Sequence, residues 1–170
     1  MEKIWLKSYP EGVPHDVDPG QYRSLTQLLE ESFRKNASRP FSVCMDRWMS
    51  YRQLDELSTA LGAWLQAQGL EPGARVAIML PNIPQFGVTM AAVLRAGYTC
   101  VNVNPLYTAR ELEHQLKDSG ATAIVILENF AKTLEEVIEK TPVKHVVMAS
   151  MGDLLGFWYG NWITFAVRHL

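Results

Sequence analysis

The sequence predicts an α/β fold, a mostly parallel sheet with flanking helices. Two observations carry that reading. Short apolar runs of strand length alternate with longer segments of helical periodicity, the rhythm of βαβ units. The runs Val76–Leu80 and Ala123–Leu127 are apolar throughout and do not alternate in polarity. Such strands need cover on both faces, which parallel sheets receive from their crossover helices. The expected arrangement is therefore Rossmann-like.

Residues 1–23 contain Pro10, Pro14 and Pro19 with few periodic apolar positions, and read as an irregular N-terminal arm. "MEKIWLKSYPEGVPHDV" has no long apolar core and no small-residue cleavage site, so no secretory signal is expected. The α/β domain is expected over residues 24–150. Leu25, Leu28, Leu29 and Phe33 share one helical face, and Ser24 with Gln27 has the S-x-x-Q spacing of a capping box. "FSVCMDRWMSY" reads as a hairpin turning at Asp46–Arg47. Ser50 and Gln53 form a second S-x-x-Q. The helix after it is marked by Leu54, Leu57, Leu61, Trp64 and Leu65, with Gly69 as a left-handed cap.

"LEPGARVAIML" supplies a turn and a strand, which Pro81–Asn82 breaks. Ile83–Ala96 reads as a helix, with Pro84 admissible in its first turn. "TCVNV" is a strand and Thr108–Ser119 a helix. "ATAIVIL" is a strand, Phe130–Lys140 a helix and "VKHVVMA" a strand.

Residues 151–170 differ. "LLGFWYGNWITFAV" carries no charge and holds Phe157, Trp158, Tyr159, Trp162 and Phe165. It is shorter than the ~20 apolar residues of a transmembrane helix. Gly152, Gly156 and Gly160 recur every fourth residue. That spacing permits close helix packing, although each glycine weakens a helix by about 1 kcal/mol relative to alanine. Two readings stand: the segment packs on protein outside this chain, or it touches a membrane interface, where Trp and Tyr are at home.

Composition excludes one class of partner. The chain has 170 residues, 48% of them hydrophobic and 20% charged, as in globular domains. A net charge of −2 leaves no basic field for nucleic acid. Cys44 and Cys100, both in apolar contexts, read as buried thiols, and no metal-ligand spacing occurs.

The 11 glycines are neither adjacent nor separated by a single residue, so no G-x-G-x-x-G exists, and G-x-x-x-x-G-K-[ST] is also missing. His114 reads as a solvated helix residue and His145 as the start of a strand. No catalytic, metal-binding or cofactor-binding residue is assigned. Ligands of open α/β sheets lie beyond the carboxyl ends of the strands. Those ends are Pro81–Asn82, Asn104–Tyr107 and Glu128–Asn129, which makes Asn82, Asn104 and Tyr107 the candidate ligand-edge residues. The same residues also make good corners. Thr108 and Glu111 have capping-box spacing, Tyr107 and Leu112 that of a hydrophobic staple, and Asn82 and Asn129 are suited to N-caps.

"SYRQLDELSTALGAWLQAQGLEPGARVAIMLPNIPQF" resembles the start of the adenylate-forming enzymes. "VNVNPLYTARELEHQLKDSGATAIV" narrows the resemblance to the bacterial long-chain fatty acyl-CoA synthetases, and "IWLKSYPEGVP" and "VKHVVMASMGDLL" are similar to that group too. The stretch from residue 156 matches least. The resemblance implies the N-terminal part of the adenylate-forming enzyme fold, within a cytoplasmic ligase of fatty acid degradation. The whole enzyme would use ATP, Mg2+ and CoA to convert a long-chain fatty acid through an acyl-adenylate to its CoA thioester. It further implies a homodimer and peripheral contact with the inner membrane. The family's phosphate loop, magnesium-binding glutamate, nucleotide contacts and catalytic lysine match nothing in residues 1–170. This part alone is therefore expected to bind no cofactor and to be inactive. Two alternatives are a self-contained, non-catalytic binding or dimerisation module, and an adenylate-forming ligase for a different carboxylic acid.

Overall fold

A computed structural model of the chain describes residues 2–169. After a 3-10 turn at Ile4–Ser8, largely exposed backbone runs to helix α1 (Leu25–Asn36). Ser24 Oγ accepts from the Gln27 N–H as expected. The Gln27 side chain, however, accepts from the Arg23 N–H at 2.9 Å, so the reciprocal half of the predicted box is displaced by one residue. Strands β1 (Pro40–Cys44) and β2 (Arg47–Ser50) form the hairpin. Its turn is Met45–Asp46, not Asp46–Arg47: both residues are left-handed, with φ of 48° and 58°, and Arg47 pairs with Cys44. A two-residue turn of this hand matches the strand twist. A methionine there gives no sequence signal. Helix α2 (Tyr51–Ala67) starts from Ser50 with both halves of its capping box in place, and Gly69 follows it at φ 71°.

The rest of the chain alternates. Strand β3 (Arg75–Met79) leads to α3 (Pro84–Arg95), β4 (Thr99–Asn102) to α4 (Ala109–Ser119), and β5 (Ala123–Leu127) to the short α5 (Ala131–Glu135). Strand β6 (His145–Ala149) then leads to α6 (Phe157–His169). The four strands β3 to β6 lie in the order β4-β3-β5-β6, and every pairing is parallel. The predicted helix over Phe130–Lys140 is broken. A 3-10 turn at Glu128–Phe130 precedes α5, and another at Ile138–Lys140 follows it. The break falls at adjacent β-branched residues, Val137 and Ile138, which lose rotamer freedom in a helix. Val137 leaves helical backbone at φ −129°.

Both sheet faces are covered. Leu65 of α2 and Val93 of α3 pack on Val76, Ile78 and Val125. Leu112 and Leu116 of α4 and Leu134 of α5 pack on Ala77, Met79, Ile124 and Ile126. This double cover accounts for the unbroken apolar text of β3 and β5. A third cluster, built from Phe33, Met49, Leu54, Val88 and Ala91, joins α1, the hairpin, α2 and α3. Gly87 lets the hairpin approach α3, since a Cβ there would stand 2.8 Å from the Phe41 ring.

Helix α6 is anchored by a glycine pair. A Cβ on Gly152 would collide with the Gly160 carbonyl, and one on Gly160 with the Gly152 carbonyl. Leu155 and Ile163 are buried beside this contact, whereas Phe157, Trp158, Trp162 and Phe165 face outward. Among the described residues no helix is long and apolar enough to cross a membrane.

Candidate functional site

The sheet has one switch point. From β3 the chain passes through α3 on one face to β4, whereas from β5 it passes through α5 on the other face to β6. The direction of winding reverses between β3 and β5, which is where doubly wound folds place ligands. Here Phe130, held by the 3-10 turn after β5, packs against the cores of both faces. It closes the carboxyl end of the sheet at that point.

Asn104 and Tyr107 belong to one turn. Val103 extends the β4 ladder by donating to the Ile78 carbonyl at 3.0 Å. Asn104 Oδ1 then accepts from the Leu106 N–H at 3.0 Å, and the Tyr107 N–H donates to the Asn104 carbonyl at 3.1 Å. The Asn104 side chain thus braces the backbone around Pro105. Tyr107 is half-buried against the core cluster that contains Leu112, and also lines an open groove of about 880 Å³ along α4 with Glu111, His114, Gln115 and Asp118. Thr108 caps α4, and Glu111 Oε2 accepts from the Thr108 N–H at 2.9 Å. That backbone hydrogen bond, helped by the Thr108 hydroxyl, holds the Glu111 carboxyl below its ordinary range. His114 is exposed.

Asn82 stands apart. It is exposed and lines a separate groove of about 330 Å³ between β1 and α3, with Phe41, Val43 and Met90. It is not the N-cap expected of it: Ile83 occupies that position, with no side-chain bond. Asn129 likewise lies inside a 3-10 turn rather than at a cap. The expected burial of both thiols is also corrected, since Cys44 and Cys100 are each only half-buried. Burial still pushes the Cys100 thiol up to about 11.

The most connected polar cluster at this edge contains none of the candidates. Gln85 Nε2, in the first turn of α3, donates to the Ser150 carbonyl at 2.8 Å. Arg168 Nη2 donates to Ser150 Oγ at 3.3 Å, and Arg168 Nε donates to Glu128 Oε2 at 2.9 Å. Helix α6 is thereby tied across the carboxyl ends of β6 and β5. Gln85 Oε1 and Glu128 Oε1 are buried acceptors without a partner. The sequence reading missed this cluster; the features that could have marked it are Gln85, a lone amide in an apolar first turn, and Arg168, the first charge after Asp153.

These residues do not form a cradle for a nucleotide. The first turn of α4 is already taken by its own capping box, whose Glu111 carboxylate opposes a phosphate. Helix α3 opens on Pro84, which has no N–H to offer. Among the described residues no group of three or more His, Cys, Asp or Glu could hold a metal ion.

Comparison with known proteins matches residues 29–157 to the AMP-binding enzyme family. The chain is 50% identical to a long-chain-fatty-acid–CoA ligase of Yersinia pestis over 171 aligned positions, covering 100% of the chain and 30% of that protein. It is 44% identical to the Haemophilus influenzae ligase of the same description, with the same coverage. The chain thus spans about a third of the length of these curated relatives. A long-chain-fatty-acid-CoA ligase structure from Archaeoglobus fulgidus is similar at TM-score 0.65 and 25% identity, over 84% of this chain and 30% of that one. The luciferase-like enzyme of Zophobas morio matches in fold at TM-score 0.73 and 20% identity, over 79% of this chain and 32% of that one.

Proposed function

Since the chain belongs to the AMP-binding enzyme family, we propose that it is the N-terminal portion of a long-chain fatty acid–CoA ligase. The observation that carries this reading is the 50% identity to such a ligase along the whole chain. The whole enzyme joins a long-chain fatty acid to CoA with cleavage of ATP to AMP and pyrophosphate, using Mg2+. Its phosphate cradle and catalytic groups lie outside residues 1–170. In this reading the arm of residues 1–23 serves a homodimer contact, residues 24–150 form the rigid α/β layer, and residues 151–170 meet the inner membrane from the cytoplasm. Asn82, Asn104 and Tyr107 stand at the edge of the ligand region, where Asn104 and Tyr107 shape the wall and touch no reacting atom.

The test is direct. The 170-residue chain is incubated with palmitate, ATP and CoA, and thioester and AMP are measured. The expected result is neither product. Turnover by the chain alone would contradict the assignment of the chemistry to other parts of the enzyme.

A further inference from the structure

The two edges of the four-stranded sheet are not alike. At the β4 edge, the Thr99 and Val103 N–H groups donate inward to the Ala74 and Ile78 carbonyls, so the backbone of Cys100 and Asn102 faces outward by alternation. That edge is partly closed: Gln115 of α4 reaches it, and its Nε2 donates to the Asn102 carbonyl at 2.8 Å. At the β6 edge, the Lys144 N–H donates inward to the Thr122 carbonyl at 2.8 Å. Val146 and Met148 continue that ladder along β5, and the N–H and C=O groups of Val147 and Ala149 face away from the sheet. Among the described residues no further strand pairs with them, and no turn or loop backbone bonds to them.

Strand β6 has none of the features that keep sheet edges apart. His145–Ala149 contains no proline, lysine or acid, and it pairs with β5 in unbroken register without a bulge. Val147 and Ala149 pack into the core cluster of Leu65 and Val93, whereas Val146 and Met148, on the opposite face, are 39% and 63% exposed. A regular apolar edge with a free row of backbone groups fits another β-strand.

The charges along the edge select the strand. Exposed Lys144 lies just before β6 and exposed Asp153 just after it, held beside the strand end by the Ser150 N–H at 2.7 Å. The cation at that end, Arg168, is taken by Glu128. A parallel copy in register would set like charges side by side. An antiparallel copy, related by a two-fold axis at Val147, pairs each His145 with the other copy's Ala149 and brings each Lys144 toward the opposite Asp153.

We propose that β6 is a self-association edge, at which two copies of the chain pair antiparallel about Val147 and join their sheets into one. This contact is separate from the one proposed for the N-terminal arm. Five residues a side make a small interface, so the dimer is weak and concentration-dependent.

Light scattering and amide hydrogen exchange of the chain over a range of concentrations test it. The mass should rise toward twice that of the monomer, and protection of the Val147 and Ala149 amides should rise with it. The Val146 and Met148 amides, bonded to β5, should be protected at every concentration. Val147→Pro removes only an outward N–H, and Met148→Lys puts a charge on a side chain that is already exposed; each should weaken association about tenfold or more. Trp158→Glu, on the exposed face of α6, should leave it unchanged. Circular dichroism checks that each variant is folded. Association that survives both β6 variants would belong to the arm or to α6 and would overturn the proposal. A chain that stays monomeric, or Val147 and Ala149 amides already protected in the monomer, would overturn it too.

Discussion

Arg168 Nε donates to Glu128 Oε2 at 2.9 Å, joining the last turn of α6 to the end of β5, 40 residues earlier in sequence. This bond, with the Gly152–Gly160 contact, is what makes α6 part of the domain instead of a free tail. The Glu128 side chain is mostly buried, and Arg168 is the cation that partners its carboxylate. Replacing Arg168 by Gln should accelerate amide hydrogen exchange throughout α6 while leaving β3 and β5 protected. Uniform exchange across the domain would show that α6 is held by other contacts.

Gly160→Ala sets two principles against each other. Helix propensity favours alanine by about 1 kcal/mol. The structure puts the new Cβ into the Gly152 carbonyl, which is backbone and cannot swing aside. Overpacking of this kind costs about 1–3 kcal/mol, so the variant should be less stable by thermal denaturation. A rise in Tm would mean that the loop and helix are further apart than described.

Gly87→Ala should destabilise by about 1–2 kcal/mol, because its Cβ meets the Phe41 ring at 2.8 Å. The obstacle is a side chain, so Phe41→Leu in the same chain should recover part of the loss. A double-mutant cycle in denaturant reads the coupling. Strict additivity would place the hairpin away from α3.

Much of this fold was legible in the sequence, for reasons that differ by element. The apolar blocks of β3 and β5 identify strands covered on both sides, and burial of all of Ala123–Leu127 follows from that. Capping boxes at Ser50 and Thr108 mark helix starts because the two residues bond each other locally. Elsewhere tertiary structure decides. Met45 takes a left-handed φ because the hairpin requires it, and no local preference announces that. Asn82 looks like a cap, yet Ile83 holds the position. The candidate edge was only partly readable: Asn104 and Tyr107 share a turn, whereas the cluster of Gln85, Glu128, Ser150 and Arg168 forms only when distant segments meet.

The α4 cap should respond to acid. The folded-state pKa of Glu111 is depressed below its ordinary 4.5, because the carboxylate accepts from the Thr108 backbone and hydroxyl. A depressed carboxyl stabilises the fold above its unfolded pKa, and that contribution is lost as pH falls through the folded value. Wild type should therefore exceed Glu111→Gln in Tm at neutral pH, and the gap should close as pH drops below 4.5. A gap independent of pH would mean that the Glu111 charge is irrelevant to the cap.

The proposed role of residues 1–170 is that of a non-catalytic but essential N-terminal layer of a fatty acid–CoA ligase. The most direct measurement is a chimera in which residues 1–170 replace the aligned portion of the Haemophilus influenzae relative, assayed for palmitate-dependent formation of AMP and palmitoyl-CoA. The chimera should form both, and the corresponding ligase lacking this portion should form neither. A folded chimera without activity, or a truncated ligase that keeps it, would contradict that role.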